Sequence, residues 1–519
     1  MNHFSFATMK VKVRALLYAL ILAQLLATLC FMGYGLGVAI AGHYDAMQPR
    51  SYVYSLRKDR HGVAGLSCAD HGGPLDPQIT DRMVYWKDVP SDSSYVSPYV
   101  SSRIGDSERY LTFETDFAGW NNVRMAFETA TILAVGTGRT LVLPPKRQLR
   151  NTVEGASSFF GFDDFFHLDS TARENAAFRV VTMEEFLNRE ALAGRLRNKR
   201  TNEVQFPPNN ATYFGEIPSN FVGDRIPLFK YLRSVAITPE WDPTECALGI
   251  PERPGLDTLI QLNATYHSIM EDSRPTYKEF VNKPTPVDAS SAERLREMLA
   301  SRDDLCLYDE DLQDAPVLHL RADMDHRLMT HFYAFLFFDN WQQDLWSKRF
   351  VRDHLRMRDE IMCAAARVVE AVLARSSGSQ YDAIHVRRGD LTRQYHWAMM
   401  SSEELYEVSR EKLNSSSLLY IATDEVDRDF FELFERHYNV VYLEDFADLL
   451  ADVVNPHMYP IIDQLVVAQS RTFVGTYGSS FSGYINRLRG YQAAARSRGH
   501  NGIIVSGSLH CAMHGCDFS

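Results

Sequence analysis

Hydrophobic positions along this chain follow different rhythms, and each rhythm predicts a different kind of element. The first is an unbroken apolar run, Ala15 to Ala41, with no charge and only Gln24 strongly polar. Wound as a helix it spans about 40 Å, more than the roughly 30 Å hydrocarbon core of a bilayer. It therefore predicts a membrane anchor. A cleaved signal peptide is the rival reading: Ala39 and Ala41 supply small residues, but such a segment carries only about 7–15 apolar residues. Residues 42–105 lack sustained periodicity, are rich in Ser, Gly, Pro and Asp, and predict a stem.

Order is expected from Tyr110. YLTFET (110–115) reads as a strand, 123–135 carries apolar residues at helical spacing, and TLVLPP (140–145) is a second buried strand halted by prolines. From about 150 to 320 the pattern is irregular and reads as insertions. Residues 331–375 read as largely helical. Strands at 381–388, 418–423, 440–445 and 472–476 then alternate with helices at 401–413, 427–437, 460–470 and 480–490. Such alternation with short loops predicts a parallel sheet covered on both faces.

Charge and cysteines narrow the class. The formal net charge is −12 and no long basic run exists, which argues against a nucleic-acid partner. Lys10, Lys12 and Arg14 precede the apolar run, but Arg50, Arg57, Lys58 and Arg60 follow it, so basic flanks leave its orientation open. The large body beyond it carries three Asn-X-Ser/Thr sequons, at Asn210, Asn263 and Asn414. Together they predict a cytosolic N-terminus and a lumenal body. Cys30 falls within the apolar run. Cys68, Cys246, Cys306, Cys363, Cys511 and Cys516 remain for disulfides in an oxidising compartment, with Cys511–Cys516 the expected local pair. His510 and His514 beside that pair match no standard zinc spacing.

Ligands of parallel α/β sheets bind at the carboxyl ends of the strands. His385-Val386-Arg387-Arg388-Gly389-Asp390 ends one predicted strand. Planar guanidinium forks suit a diphosphate; a salt-bridge cluster with Asp390 explains the same residues equally well. Gly475-Thr476-Tyr477-Gly478-Ser479-Ser480-Phe481 ends another strand and opens a helix, which suits a phosphate or an ordinary serine N-cap. Asp323-Met324-Asp325 has the spelling of a metal-binding motif but reads more simply as helix-start carboxylates, so no metal is assigned.

Taken together these segments carry a resemblance. HVRRGD resembles the His-X-Arg-Arg motif of α1,6-fucosyltransferases and protein O-fucosyltransferases. GWNNVRMAFETATILAVGTGRTLVLPP resembles the first β-α-β unit of the O-fucosyltransferases, and IDQLVVAQSRTFVGTYGSSFSGYINRLRG their last nucleotide-binding segment. RLMTHFYAFLFF (327–338) and YIATDE (420–425) also look familiar. The resemblance implies an α/β fold of two facing Rossmann-like lobes, of glycosyltransferase B type, behind a single N-terminal transmembrane helix. The expected layout is a cytosolic tail (1–14), anchor (15–41), stem (42–105), acceptor-side lobe (106–330), bridging helices (331–375), nucleotide-sugar lobe (376–500) and tail (501–519).

The resemblance also implies transfer of fucose from GDP-fucose to a protein hydroxyl or glycan, metal-independent, inverting and without a cofactor. The setting would be a Golgi or endoplasmic reticulum type II membrane protein. Arg387 would be catalytic, supporting the departing GDP. Arg388, Ser479, Ser480 and Phe481 would line the donor pocket, and His385 and Asp463 would read guanine. Asn121 and Arg124 would face sugar or acceptor. One departure stands out: some relatives place a catalytic glutamate where Ala118 falls here. Two alternatives stay open, a transferase for another nucleotide sugar and an inactive nucleotide-sugar-binding scaffold.

Overall fold

The computed structural model describes residues 65–497 apart from 75, 88, 90, 102–107, 149–158, 209–215, 218–225, 281–284, 324–325, 329–334, 377–379, 390–391, 393–398 and 452. The apolar run 15–41, Asn210, Asp325, Asp390, Cys511 and Cys516 lie outside the described residues. Among the described residues no helix is long and apolar enough to cross a membrane.

Three parallel sheets dominate this mixed α/β body. The first joins β1 (Tyr110–Phe113), β2 (Thr140–Leu143), β5 (Val180–Thr182) and β9 (Val317–Leu320) in the order β5-β2-β1-β9. A small sheet of β3 (Lys146–Gln148), β4 (Phe159–Phe160) and β6 (Glu216–Ile217) lies between β2 and β9 in the chain. The second parallel sheet is β10-β7-β8, from β7 (Cys246–Ile250), β8 (Asp304–Leu307) and β10 (Leu336–Phe338). The third is β13-β12-β11-β14, from β11 (Asp382–Val386), β12 (Leu418–Thr423), β13 (Asn439–Val441) and β14 (Phe473–Val474).

Side-chain alternation explains why β11 and β12 read as continuous apolar runs. Ile384, Val386, Leu419 and Ile421 pack with Phe431 and Phe434 on one face. Ala383, Leu418, Tyr420 and Ala422 pack on the other, with Ile461, Ile462 and Leu465. Both faces are buried, so neither needs polar residues. Nine helices carry the rest of the argument: α1 (Pro77–Met83), α2 (Trp120–Gly136), α3 (Pro227–Val235), α4 (Leu256–Asp272), α5 (Trp341–Asp353), α6 (Asp359–Arg375), α7 (Ser402–Arg410), α8 (Tyr459–Ala468) and α9 (Ser480–Ser497).

Three expectations change. Residues 150–320 are not merely irregular: they hold β5, β7, β8 and β9 with α3 and α4. Residues 331–375 hold strand β10 as well as α5 and α6. The stem assignment fails for residues 65–101, where Met83, Tyr85, Trp86 and Tyr99 are buried in the main core. Cys68 in that segment bonds Cys363 of α6, and Cys246 bonds Cys306 across β7 and β8. Proline and serine made this stretch look like a linker, yet α1 begins with Pro77 where no N–H is lost, capped by Asp76.

Candidate active site

The carboxyl end of β11 sets the site. Strand alternation puts Ala383, His385 and Arg387 on the α8–α9 face, and Ile384, Val386 and Arg388 on the other. His385 is 5% exposed. Its ring stacks on Phe481 at 4.3 Å, and Nδ1 lies 2.7 Å from Ser482 Oγ. Burial pulls the imidazole down to about 3, and the Arg387 charge adds to the shift, so His385 is neutral at pH 7. Thr476 pins the strand end: its hydroxyl donates to the His385 carbonyl and accepts from the Arg387 N–H, both at 2.9 Å.

The two arginines part company here. Arg387 Nη1 meets Asp424 Oδ2 at 2.7 Å, keeping a guanidinium fork at the rim. Arg388 points to the opposite face, where Nε meets Glu425 at 2.6 Å and the guanidinium lies 4.1 Å above the Phe430 ring. Asp424 also accepts from the Arg388 backbone N–H at 2.7 Å. Val386 and Thr423 are register partners, so the two residues after each strand end face each other as Arg-Arg against Asp-Glu. The salt-bridge partners are thus Asp424 and Glu425. Glycine at 389 follows, because a Cβ there would lie 2.2 Å from Asp424 Oδ2. The expected donor contact for Arg388 is not what this geometry offers: its charge is spent on Glu425 and Phe430.

Asp463, on α8, faces β12. Tyr420 donates its hydroxyl to Asp463 Oδ1 at 2.6 Å. Burial pushes the carboxyl up to about 7, against the opposing effect of that hydrogen bond. The loop after β14 turns through Gly478 at φ +69°, which favours glycine, and delivers Ser479 and Ser480 to the start of α9. The Ser479 carbonyl accepts from the Gly483 N–H at 3.0 Å, an N-cap position.

Asn121 and Arg124 separate. Asn121, in the first turn of α2, accepts at Oδ1 from Gln464 Nε2 at 3.0 Å, beside Asp463. Arg124 is 1% exposed and faces the protein. It pairs with Glu128 at 2.6 Å, which also binds Arg487 of α9 at 2.5 and 2.7 Å, while Tyr484 stacks under the Arg124 guanidinium at 3.6 Å. That correction has a simple cause: α9 crosses the α2 face carrying Arg124 and Glu128, and nothing local in the sequence announces a partner hundreds of residues away.

At the amino-terminal sheet, Asp116 is 0% exposed and forked to Arg327 at 2.8 and 2.9 Å. It does not fill the role left open by Ala118. Asp323 binds His326 Nδ1 at 2.5 Å and Arg321 Nε at 2.6 Å, an ion network rather than a helix start. Among the described residues no group of three His, Cys, Asp or Glu side chains is arranged for a metal. Ser482, Asp424, Glu425, Tyr420 and Gln464 join the site without having stood out individually in the sequence. Only Asp424 and Glu425 had a usable signal, since YIATDE ends the strand beside HVRR.

A buried neutral imidazole, a cationic strand end and a helix N-terminus gathered at one sheet edge suit a transferase that handles a nucleotide-linked group. A family model described as GDP-fucose protein O-fucosyltransferase matches residues 110–492, and the chain belongs to that family. It is a glycosyltransferase, a fucosyltransferase. No curated protein matches the chain. Among solved structures, fucosyltransferase NodZ from Bradyrhizobium is 14% identical with a TM-score of 0.33, covering 74% of this chain and 93% of that one. POFUT1 in complex with GDP is 13% identical with a TM-score of 0.31, covering 75% and 97%. An Arabidopsis thaliana FUT1 mutant in complex with GDP is 9% identical with a TM-score of 0.31, covering 81% and 75%.

Proposed function

We propose that this chain transfers fucose from GDP-fucose to a hydroxyl of a protein or glycan, without a metal and with inversion at the sugar carbon. The observation that carries the reading is the gathering of His385, Arg387, Ser479, Ser480 and Phe481 at the carboxyl ends of β11 and β14 and the start of α9, with Asp463 on α8 next to Gln464, whose amide bonds the Phe481 carbonyl. The ionised Asp463 carboxylate accepts from the guanine N1–H and 2-amino group. Neutral His385, backed by Phe481 and Ser482, offers a ring nitrogen to the base without adding charge. Ser479, Ser480 and the start of α9 donate to the diphosphate.

Arg387 meets the oxygen on which charge grows. As the bond between the sugar C1 and the β-phosphate oxygen breaks, its electron pair stays on phosphate, and the guanidinium held by Asp424 stabilises that charge. The acceptor oxygen then closes on C1 from the opposite face, and its proton passes to water as the new C–O bond forms. With Ala118 lacking a side-chain base and Asp116 committed to Arg327, leaving-group departure leads the reaction.

In this reading the sheets of residues 110–338 and the sheet of residues 382–474 belong to two facing lobes of glycosyltransferase B type, and the chain is a type II protein of the Golgi or endoplasmic reticulum membrane with a lumenal body. The apolar run, the disulfides and the exposed sequon at Asn414 support that placement. The test incubates the full-length protein with a panel of nucleotide sugars and acceptor glycans. GDP release from GDP-fucose, with transfer of labelled fucose, is expected. Turnover of a UDP-sugar but not GDP-fucose would overturn the donor assignment, and no turnover of any donor would point to a binding scaffold.

A further inference from the structure

Gln464 is fully buried, and its amide bridges elements from opposite ends of the chain. Nε2 donates to the Phe481 backbone carbonyl at 3.1 Å and to Asn121 Oδ1 at 3.0 Å. Amide orientations follow from the partners around them. A backbone carbonyl can only accept, so the Phe481 carbonyl requires the Gln464 nitrogen on its side. That nitrogen then requires the Asn121 oxygen. The Asn121 Nδ2 group is left pointing away with its two N–H donors, and among the described residues it has no hydrogen-bond partner. The Gln464 Oε1 atom, also buried, has none either. A buried amide left half satisfied is a poor stabilising device, and its placement calls for another explanation.

We propose that Gln464 is a positioning residue that locks the Asn121 amide so that it presents N–H donors, and not its carbonyl, to the fucosyl end of the donor. This rests on the donor reading above. The relay is rigid at both ends. Phe481 is held by its stack on His385, and α2 is held against α9 by the Arg124–Glu128–Arg487 cluster. Asn121 therefore cannot turn over without losing its bond to Gln464. The fucosyl ring oxygen can only accept, so it suits an N–H group and not a carbonyl; free GDP lacks that atom, so the orientation bears on GDP-fucose alone.

The experiment compares binding of GDP and GDP-fucose to the full-length protein and its variants, with melting temperature read alongside. Gln464→Met keeps length and removes both hydrogen bonds. Losing one oriented donor is expected to cut the ratio of GDP-fucose to GDP affinity about tenfold, with GDP affinity changed less than about twofold. Gln464→Glu, which favours the inverted Asn121 orientation, should cut the ratio at least as far. In an Asn121→Ala background neither change should alter the ratio further. An unchanged ratio, equal losses for both ligands, or additive effects in the Asn121→Ala background would reduce Gln464 to a structural role and overturn the proposal. Absence of guanine-nucleotide binding by the wild-type protein would instead overturn the donor reading, and this inference with it.

Discussion

Replacing Asp463 by Asn should stabilise the fold and disable donor binding together. Burial moves the carboxyl from its ordinary 3.8 to about 7. At 1.36 kcal/mol per pKa unit that is a ceiling of ~4 kcal/mol against the ionised form, and partial exposure lowers it to roughly 2 kcal/mol. A carboxyl whose folded pKa is raised binds its proton more tightly in the fold. Its cost is absent below the ordinary value and complete above about 7. Asp463→Asn removes a charge and leaves an acceptor for Tyr420, so Tm should rise by about 2–4 °C at pH 8 and stay unchanged at pH 4. Guanine loses a charged acceptor for two N–H groups, worth about 3 kcal/mol, so GDP affinity should fall roughly a hundredfold. Wild-type affinity should fall about tenfold from pH 8 to pH 6 as the proton competes with guanine, and the variant should be flat over that range. Calorimetry with GDP and inosine diphosphate, which lacks the 2-amino group, supplies the assay. A GDP affinity within threefold of wild type, or a lower Tm at pH 8 without a binding change, would refute the reasoning.

Arg387→Ala should lower turnover at saturating donor by on the order of 10²–10³, and Arg387→Lys should recover little because an ammonium lacks the fork; near-normal turnover would remove it from the mechanism. Arg388→Ala should weaken donor binding less than threefold, since its partners are Glu425 and Phe430. Transfer should persist in excess EDTA, and a loss restored by Mn²⁺ would call for metal ligands. Glu128→Ala leaves two guanidinium groups buried without their carboxylate and should cost about 3–5 kcal/mol in chemical denaturation. Asn414, exposed with its side chain turned onto Ser416, should carry a glycan, and Asn414→Gln should remove one endoglycosidase-sensitive mobility shift.

Features that depend on near neighbours in the chain are legible in the residues alone. Alternating strand and helix periods marked β1, α2 and β2, and later β11, β12, α8 and α9, because burying both faces of a parallel strand demands a continuous apolar run. The strand-end position of His385, Arg387 and Arg388 came from that same pattern. Tertiary structure decided what each charged side chain faces. Arg387 and Arg388 are adjacent and chemically identical, yet strand parity sends one to the α8–α9 face and the other onto Phe430 and Glu425. Arg124 looked like a ligand because it follows Asn121 in a familiar turn, and it is buried because α9 returns from far along the chain to cover it. The pairing of Cys68 with Cys363 and the shift at Asp463 have the same origin. Both are set by contacts between segments far apart in the chain, and neither linear spacing nor residue type encodes them.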